Sequence, residues 1–199
     1  GWMAEQRARI QYIAKANDNL KLVTHFELDS RFGGIATGYK GTTGNDGGNL
    51  DADQLTLETK NIYLDINCPI TGANIKAGIQ PWADAYQSLF LLADMTGVYA
   101  TKKFDPATVS LGWFRYDDNT PATGTQGPGD LTADLFILDG KFAINKNMTV
   151  GGSYYFSHDD TNKAAAGNPV AKVNMVGLNA DLTFGPANIK PFVAYQFGE

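Results

Sequence analysis

Apolar and polar side chains alternate one by one along most of this chain, and a period of two is the signature of strands with one greasy face and one wet face. The clearest case sets Met148, Val150, Gly152, Tyr154 and Phe156 against Thr149, Gly151, Ser153, Tyr155 and Ser157. Val176, Leu178, Ala180, Leu182 and Phe184 oppose Gly177, Asn179, Asp181 and Thr183 in the same way, as do Ile75, Ala77 and Ile79 against Lys76, Gly78 and Gln80. Residues 2–15, 20–29, 55–67, 96–104, 108–116, 131–144 and 189–197 follow the rule less cleanly, making ten segments. In 131–144, Leu135 and Ile137 share parity with Asp139 and Lys141, so either a bulge intervenes or some apolar side chains point inward. Helical spacing is nearly absent. The chain reads as all-β, one domain over residues 1–199.

The connections between these segments alternate between tight and long. Asn17-Asp18-Asn19, Thr71-Gly72-Ala73, Asp105-Pro106, Asn145-Lys146-Asn147 and Gly185-Pro186-Ala187 are short turns, with Gly, Pro and Asn supplying the required backbone angles. Residues 31–53, 82–95, 117–130 and 158–169 are long. Sorting by length puts all the turns on one rim and all the loops on the other, as an antiparallel up-and-down transmembrane β-barrel requires, with turns in the periplasm and loops outside. A soluble antiparallel sandwich would also alternate but has no reason to sort its loops by rim. On this orientation the first strand runs inward from the exterior and the tenth ends outside. An even strand number with periplasmic termini then predicts at least about twelve strands in the complete protein, of which this chain is a fragment incomplete at both ends.

Composition narrows the function. A net charge of −5 offers no basic face for nucleic acid. Cys68 is the sole cysteine, so there is no disulfide framework, CxxC pair or haem-attachment site. No run of about 18 apolar residues makes a spanning helix, but strands span with their greasy residues interleaved, so a mean hydropathy of −0.24 does not speak against a membrane. Neither a Ser/His/Asp cluster, a GxSxG elbow nor a phosphate loop occurs, and the chain is expected to be no enzyme and to need no cofactor.

The greasy parity should face lipid, with Trp82, Trp113, Tyr154, Phe156 and Tyr195 near the loop-side interface and Phe142 and Phe184 near the turn side. The other parity carries charge. Folding back across Asn17-Asp18-Asn19 sets Arg9 near Glu27, Arg7 near Asp29 and Gln11 near His25; the next hairpin sets Asp65 near Lys76. Asp139, Lys141, Asp181 and Lys190 extend the same face. These residues are expected to line a pore, where fixed charges in a narrow aqueous passage bias which ions pass. A solvated ion pair that merely steadies the wall is the plainer reading of each. Both signs occur, which predicts weak selectivity.

His25 has only His158 as a possible histidine co-ligand, in a distant loop, and reads as a wall residue rather than a metal ligand. Residues 46–53, Asp46-Gly47-Gly48-Asn49-Leu50-Asp51-Ala52-Asp53, are rich in oxygen ligands but lack the spacing of an EF-hand loop, and no metal site is assigned. The loop over 82–95 is apolar, unlike the others. Tyr86, Leu89, Phe90, Leu91, Leu92 and Asp94 are candidates for a constriction folded into the lumen; packing on a neighbouring protomer or along the barrel top is the alternative.

The sequence resembles the general porins of Gram-negative bacteria, especially the major outer-membrane porin type of deltaproteobacteria. The likeness rests on Gln6-Arg7-Ala8-Arg9-Ile10, on Phe26-Glu27 closing the second strand, and on Lys60-Asn61-Ile62-Tyr63-Leu64 followed by Ile75-Lys76-Ala77-Gly78-Ile79-Gln80. The resemblance implies a bacterial outer-membrane channel for passive diffusion of ions and small hydrophilic solutes, often a trimer, in contact with outer-membrane lipid and lipopolysaccharide. A structural or interaction barrel is the competing function: a sheath around a partner such as an electron-transfer cytochrome, or a surface adhesin.

Overall fold

The computed structural model describes residues 1–34, 57–118, 129–161 and 170–199. They form a single antiparallel sheet: β1 (Glu5–Asn17), β2 (Leu20–Arg31), β3 (Glu58–Asn67), β4 (Asn74–Ala83), β5 (Leu92–Lys103), β6 (Ala107–Asp118), β7 (Thr132–Asn145), β8 (Met148–Asp159), β9 (Ala171–Phe184), β10 (Ala187–Ile189) and β11 (Phe192–Gly198). Each strand from β1 to β8 pairs with the next in sequence, and β10 and β11 both pair with β9. The expected all-β, up-and-down architecture is therefore present, with eleven strands rather than ten. The extra one arises because Lys190-Pro191 interrupts the last arm, where proline has no N–H to give the ladder. Ile189 faces Leu182 and Phe192 faces Asn179, so the arm resumes in unbroken register.

Short turns lie on one rim, the peptide from Asn17 to Asn19 closing with Asn17 Oδ1 accepting from Asn19 N at 2.8 Å, and Asn145 Oδ1 doing the same for Asn147 N at 2.8 Å. The sheet is strongly curled. Strands sit about 4.8 Å apart, so β4 and β8 would be about 19 Å apart in a flat sheet, yet the Trp82 and Tyr155 rings approach to 5.6 Å between centroids. Among the described residues β1 and β11 form no ladder with each other.

The two faces differ as the alternation predicts. On the convex side Leu178 is 64% exposed and Leu111 58%, with Val98, Phe136, Leu138, Phe142, Ile144 and Val176 also open. A soluble sheet does not leave so continuous an apolar face in water; the surface belongs in lipid. Trp113, Phe136 and Phe156 stand side by side across β6, β7 and β8, and Tyr195 stacks on Phe197 at 5.8 Å, toward the loop rim. Segment 131–144 contains no bulge between Asp134 and Ala143: Leu135 and Ile137 share the concave face with Asp139 and Lys141. Trp82 is the exception among the expected lipid-facing aromatics. The β4–β5 ladder runs on through Trp82 opposite Ala93 and Ala83 opposite Leu92, which fixes Trp82 on the concave face with Gln80 and Gly78, where it is 6% exposed.

Candidate functional site on the concave wall

The first hairpin folds back in the expected register, with Arg7 opposite Asp29, Arg9 opposite Glu27 and Gln11 opposite His25. Arg7 donates to both Asp29 oxygens at 2.6 and 2.9 Å, Arg9 pairs with Glu27, and Arg7 also lies 3.6 Å from Glu27. The result is a four-residue ladder of alternating sign along the wall. His25 Nδ1 lies 3.3 Å from Asn61 Oδ1, and the Asn61 amide donates to Asp94 at 2.7 Å, so the imidazole belongs to a side-chain chain on the wall.

Asp65 stands opposite Lys76 in register, but its charge partner is Lys21 at 3.8 Å and Asn74 donates to it at 2.6 Å. Lys76 instead places its ammonium 5.6 Å over the Tyr63 ring. Toward the turn rim Lys190 lies 3.4 Å from Asp181, which also accepts from Asn188 at 2.5 Å. Lys141 faces Thr108 and Gly151 on neighbouring strands.

The apolar segment is a shorter connection than the sequence suggested. It covers residues 84–91, because Trp82 and Ala83 are still paired in β4 and Leu92 to Met95 already in β5. Leu92 and Asp94 are therefore strand residues. Asp94 is bound sideways to β3 through Lys60 at 2.6 Å and Asn61, and takes no part in the loop.

The loop crosses the concave face. Asp84 holds it shut, Oδ1 accepting from Tyr86 N at 2.7 Å and Oδ2 from Phe90 N at 2.8 Å and Leu91 N at 2.6 Å. Gln87 and Ser88 take φ of 62° and 63° to reverse the chain. Ala85 N donates to the Tyr155 hydroxyl at 3.0 Å and Gln87 Nε2 to the Lys190 carbonyl at 3.0 Å, tying the loop to β8 and to the last arm. Tyr86 is 1% exposed, its ring 5.4 Å from Phe192 and 6.1 Å from Tyr155. Burial pushes the Tyr86 phenol up, which keeps it a neutral hydroxyl. A Cβ at Gly177 would run into this phenol, so glycine is required there for the ring to lie against β9.

Beneath the loop, Trp82, Met95, Phe114, Leu135, Ile137, Tyr155 and Met175 form a buried apolar cluster with Tyr86. Leu89 and Phe90 remain about half exposed or more, and Leu91 packs partly against the cluster. The loop separates two cavities. One of about 560 Å³ on the loop-rim side is lined by Trp82, Phe90, Met95, Tyr116 and Met175; the other, of about 450 Å³, is lined by Asp84, Lys141, Asn179, Asp181 and Lys190.

Two features of the wall leave no mark in the alternation pattern. Asp84 acts as the loop's anchor through its place two residues before the buried Tyr86. Near the loop rim, on the convex parity, Arg115 binds both oxygens of Asp134 at 2.9 and 3.0 Å, with Trp113 Nε1 donating to the same carboxylate at 3.0 Å. The oxygen-rich stretch 46–53 and most of the long loops lie outside the described residues. No group of three or more His, Cys, Asp or Glu fit to hold a metal occurs among the described residues.

No family model matches the sequence, and no curated protein matches it. Among solved structures the chain is similar to OmpT (in-vitro folded), an outer membrane protein of Vibrio cholerae, at 16% identity and a TM-score of 0.48, over 98% of this chain and 68% of that one. It is also similar to a loop L8 deletion mutant of the same protein, at 15% identity and a TM-score of 0.47, over 97% and 73%. These likenesses are too distant to carry an argument about activity. The architecture stands on the chain's own geometry: a curled up-and-down sheet, greasy outside and charged inside, is a bacterial outer-membrane β-barrel wall. One expectation is corrected, that the chain is no enzyme. It rested on absent motifs alone, and an absence gives that exclusion no footing.

Proposed function

We propose that the chain is the wall of a porin-type channel of a Gram-negative outer membrane, passing ions and small hydrophilic solutes by passive diffusion. One observation carries this reading: the Arg7, Arg9, Glu27 and Asp29 ladder continues in Lys141, Asp181 and Lys190 on the concave face, opposite a face that only lipid can cover. Charges of both signs in a low-dielectric wall favour a wet passage with mild selectivity. The connection over 84–91 narrows that passage, Tyr86 forming its floor and Phe90 and Leu89 its exposed edge. Lipid and lipopolysaccharide cover the convex face, and copies of the chain associate, as trimers on the resemblance to porins.

Single-channel recording in planar bilayers tests this. Steady, ohmic steps in potassium chloride are expected; a membrane that stays silent at every protein concentration overturns the reading. A second reading, an interaction barrel, draws support from the apolar cluster that the loop buries on the concave side. It expects no conductance and a soluble partner retained by the folded protein.

A further inference from the structure

Among the described residues, three buried oxygen atoms on the concave wall have no hydrogen bond of good geometry: Tyr86 Oη, Asp139 Oδ1 and Ser153 Oγ, of which Tyr86 and Ser153 lie close enough to interact with each other. They lie together. Thr101, Ser110, Asp139, Ser153, Gly177 and Ala194 are direct neighbours across β5 to β9 and β11, so Asp139 stands beside Ser153 and Ser153 beside Gly177. The Tyr86 phenol comes down from the loop onto Gly177, closing the group from above. Asp139 is 8% exposed. Its other oxygen receives a long hydrogen bond from Tyr99 at 3.4 Å, the Tyr155 hydroxyl also interacts with this carboxylate, and among the described residues no Lys, Arg or His lies within ion-pair distance of it.

We propose that Asp139, Ser153 and Tyr86 bind a monovalent alkali cation beneath the loop. A buried carboxylate needs both hydrogen-bond partners and a counter-charge. Water would satisfy the three oxygens but leave the charge unmatched under the rings of Tyr99, Tyr155 and Tyr86. An alkali cation meets both needs, accepting one anionic and two neutral oxygen ligands. A divalent ion is a poor fit, because the site offers a single carboxylate, whose one negative charge a monovalent cation neutralises, whereas calcium commonly draws on several carboxylates. The site goes beyond the channel reading. It concerns equilibrium binding to the folded wall and holds whether or not the protein conducts.

The test is urea unfolding of the protein in detergent micelles at neutral pH. Potassium or sodium chloride is raised while N-methyl-D-glucamine chloride keeps ionic strength constant. The midpoint should climb and saturate with the metal ion, respond more weakly in Ser153→Ala and Tyr86→Phe, and stay flat in Asp139→Asn. Asp181→Asn, which removes an exposed carboxylate from the same wall, should keep the full response. A wild-type midpoint indifferent to exchanging metal for the organic cation overturns the proposal, as does an undiminished response in Asp139→Asn. Should Asp139→Asn fail to fold, equal responses of wild type, Ser153→Ala and Tyr86→Phe overturn it instead.

Discussion

Replacing Asp84 with alanine should release the loop from the wall while leaving the sheet intact. One carboxylate accepts from the backbone of Tyr86, Phe90 and Leu91, and hydrogen bonds to a charged acceptor each contribute roughly 1.5–3 kcal/mol. Phe90 is half exposed, so its amide and that of Leu91 can regain water once the carboxylate is gone. Tyr86 has no such recourse, and its stranded amide alone costs about 1–3 kcal/mol. At 1.4 kcal/mol per decade, the population with the loop detached rises about 5- to 100-fold. Amide hydrogen exchange reads this directly: Tyr86 N should exchange about 5- to 100-fold faster in Asp84→Ala, with the β7, β8 and β9 amides unchanged. In bilayers the same variant should show larger or noisier conductance steps. Unchanged exchange at Tyr86 would refute the anchoring role, and acceleration spread evenly over the strands would show that Asp84 supports the whole sheet.

Glu27→Gln removes a negative charge from the charged ladder without removing its volume. Stability should change by about 1 kcal/mol or less, as usual for partly solvated pairs, while the reversal potential in a potassium chloride gradient moves toward anion preference; no movement would mean that the ladder lies off the ion path. Leu178→Arg puts a charge on the convex face and should cost about 2–4 kcal/mol if that face meets the bilayer core, measured as the urea midpoint in liposomes, whereas Asn179→Arg on the concave face should cost far less. Cys68 lies in a turn outside the spanning strands, where the Thr71 hydroxyl draws its thiol below the ordinary range. Alkylation of the folded protein should therefore reach half its maximal rate at a lower pH than that of the unfolded chain, and Thr71→Val should shrink the difference.

What the sequence disclosed and what it hid follow from the range of the forces involved. Strand parity and hairpin register are local: a two-residue period and a short turn suffice to set Arg7 opposite Asp29 and Arg9 opposite Glu27. Curvature is not local. Nothing in Trp82 or Tyr155 alone says that strands four apart bring their rings together, and without that knowledge Trp82 looks like an interfacial aromatic. The same blindness applies to parity beyond the last recognised strand residue. Starting a loop at Trp82 loses the alternation that assigns it to the concave face with Gln80.

Segment 131–144 shows the converse, a local irregularity that carried information. Leu135 and Ile137 break the polar pattern of the wall because the loop covers them; Asp139, still beneath the loop, and Lys141 beyond it restore the pattern further along. An apolar interruption on a wet face and an apolar stretch in an otherwise polar rim are therefore two halves of one contact. Each alone is ambiguous. Together they locate where the loop comes to rest, with Gly177, the residue too small to obstruct Tyr86, marking the point of closest approach.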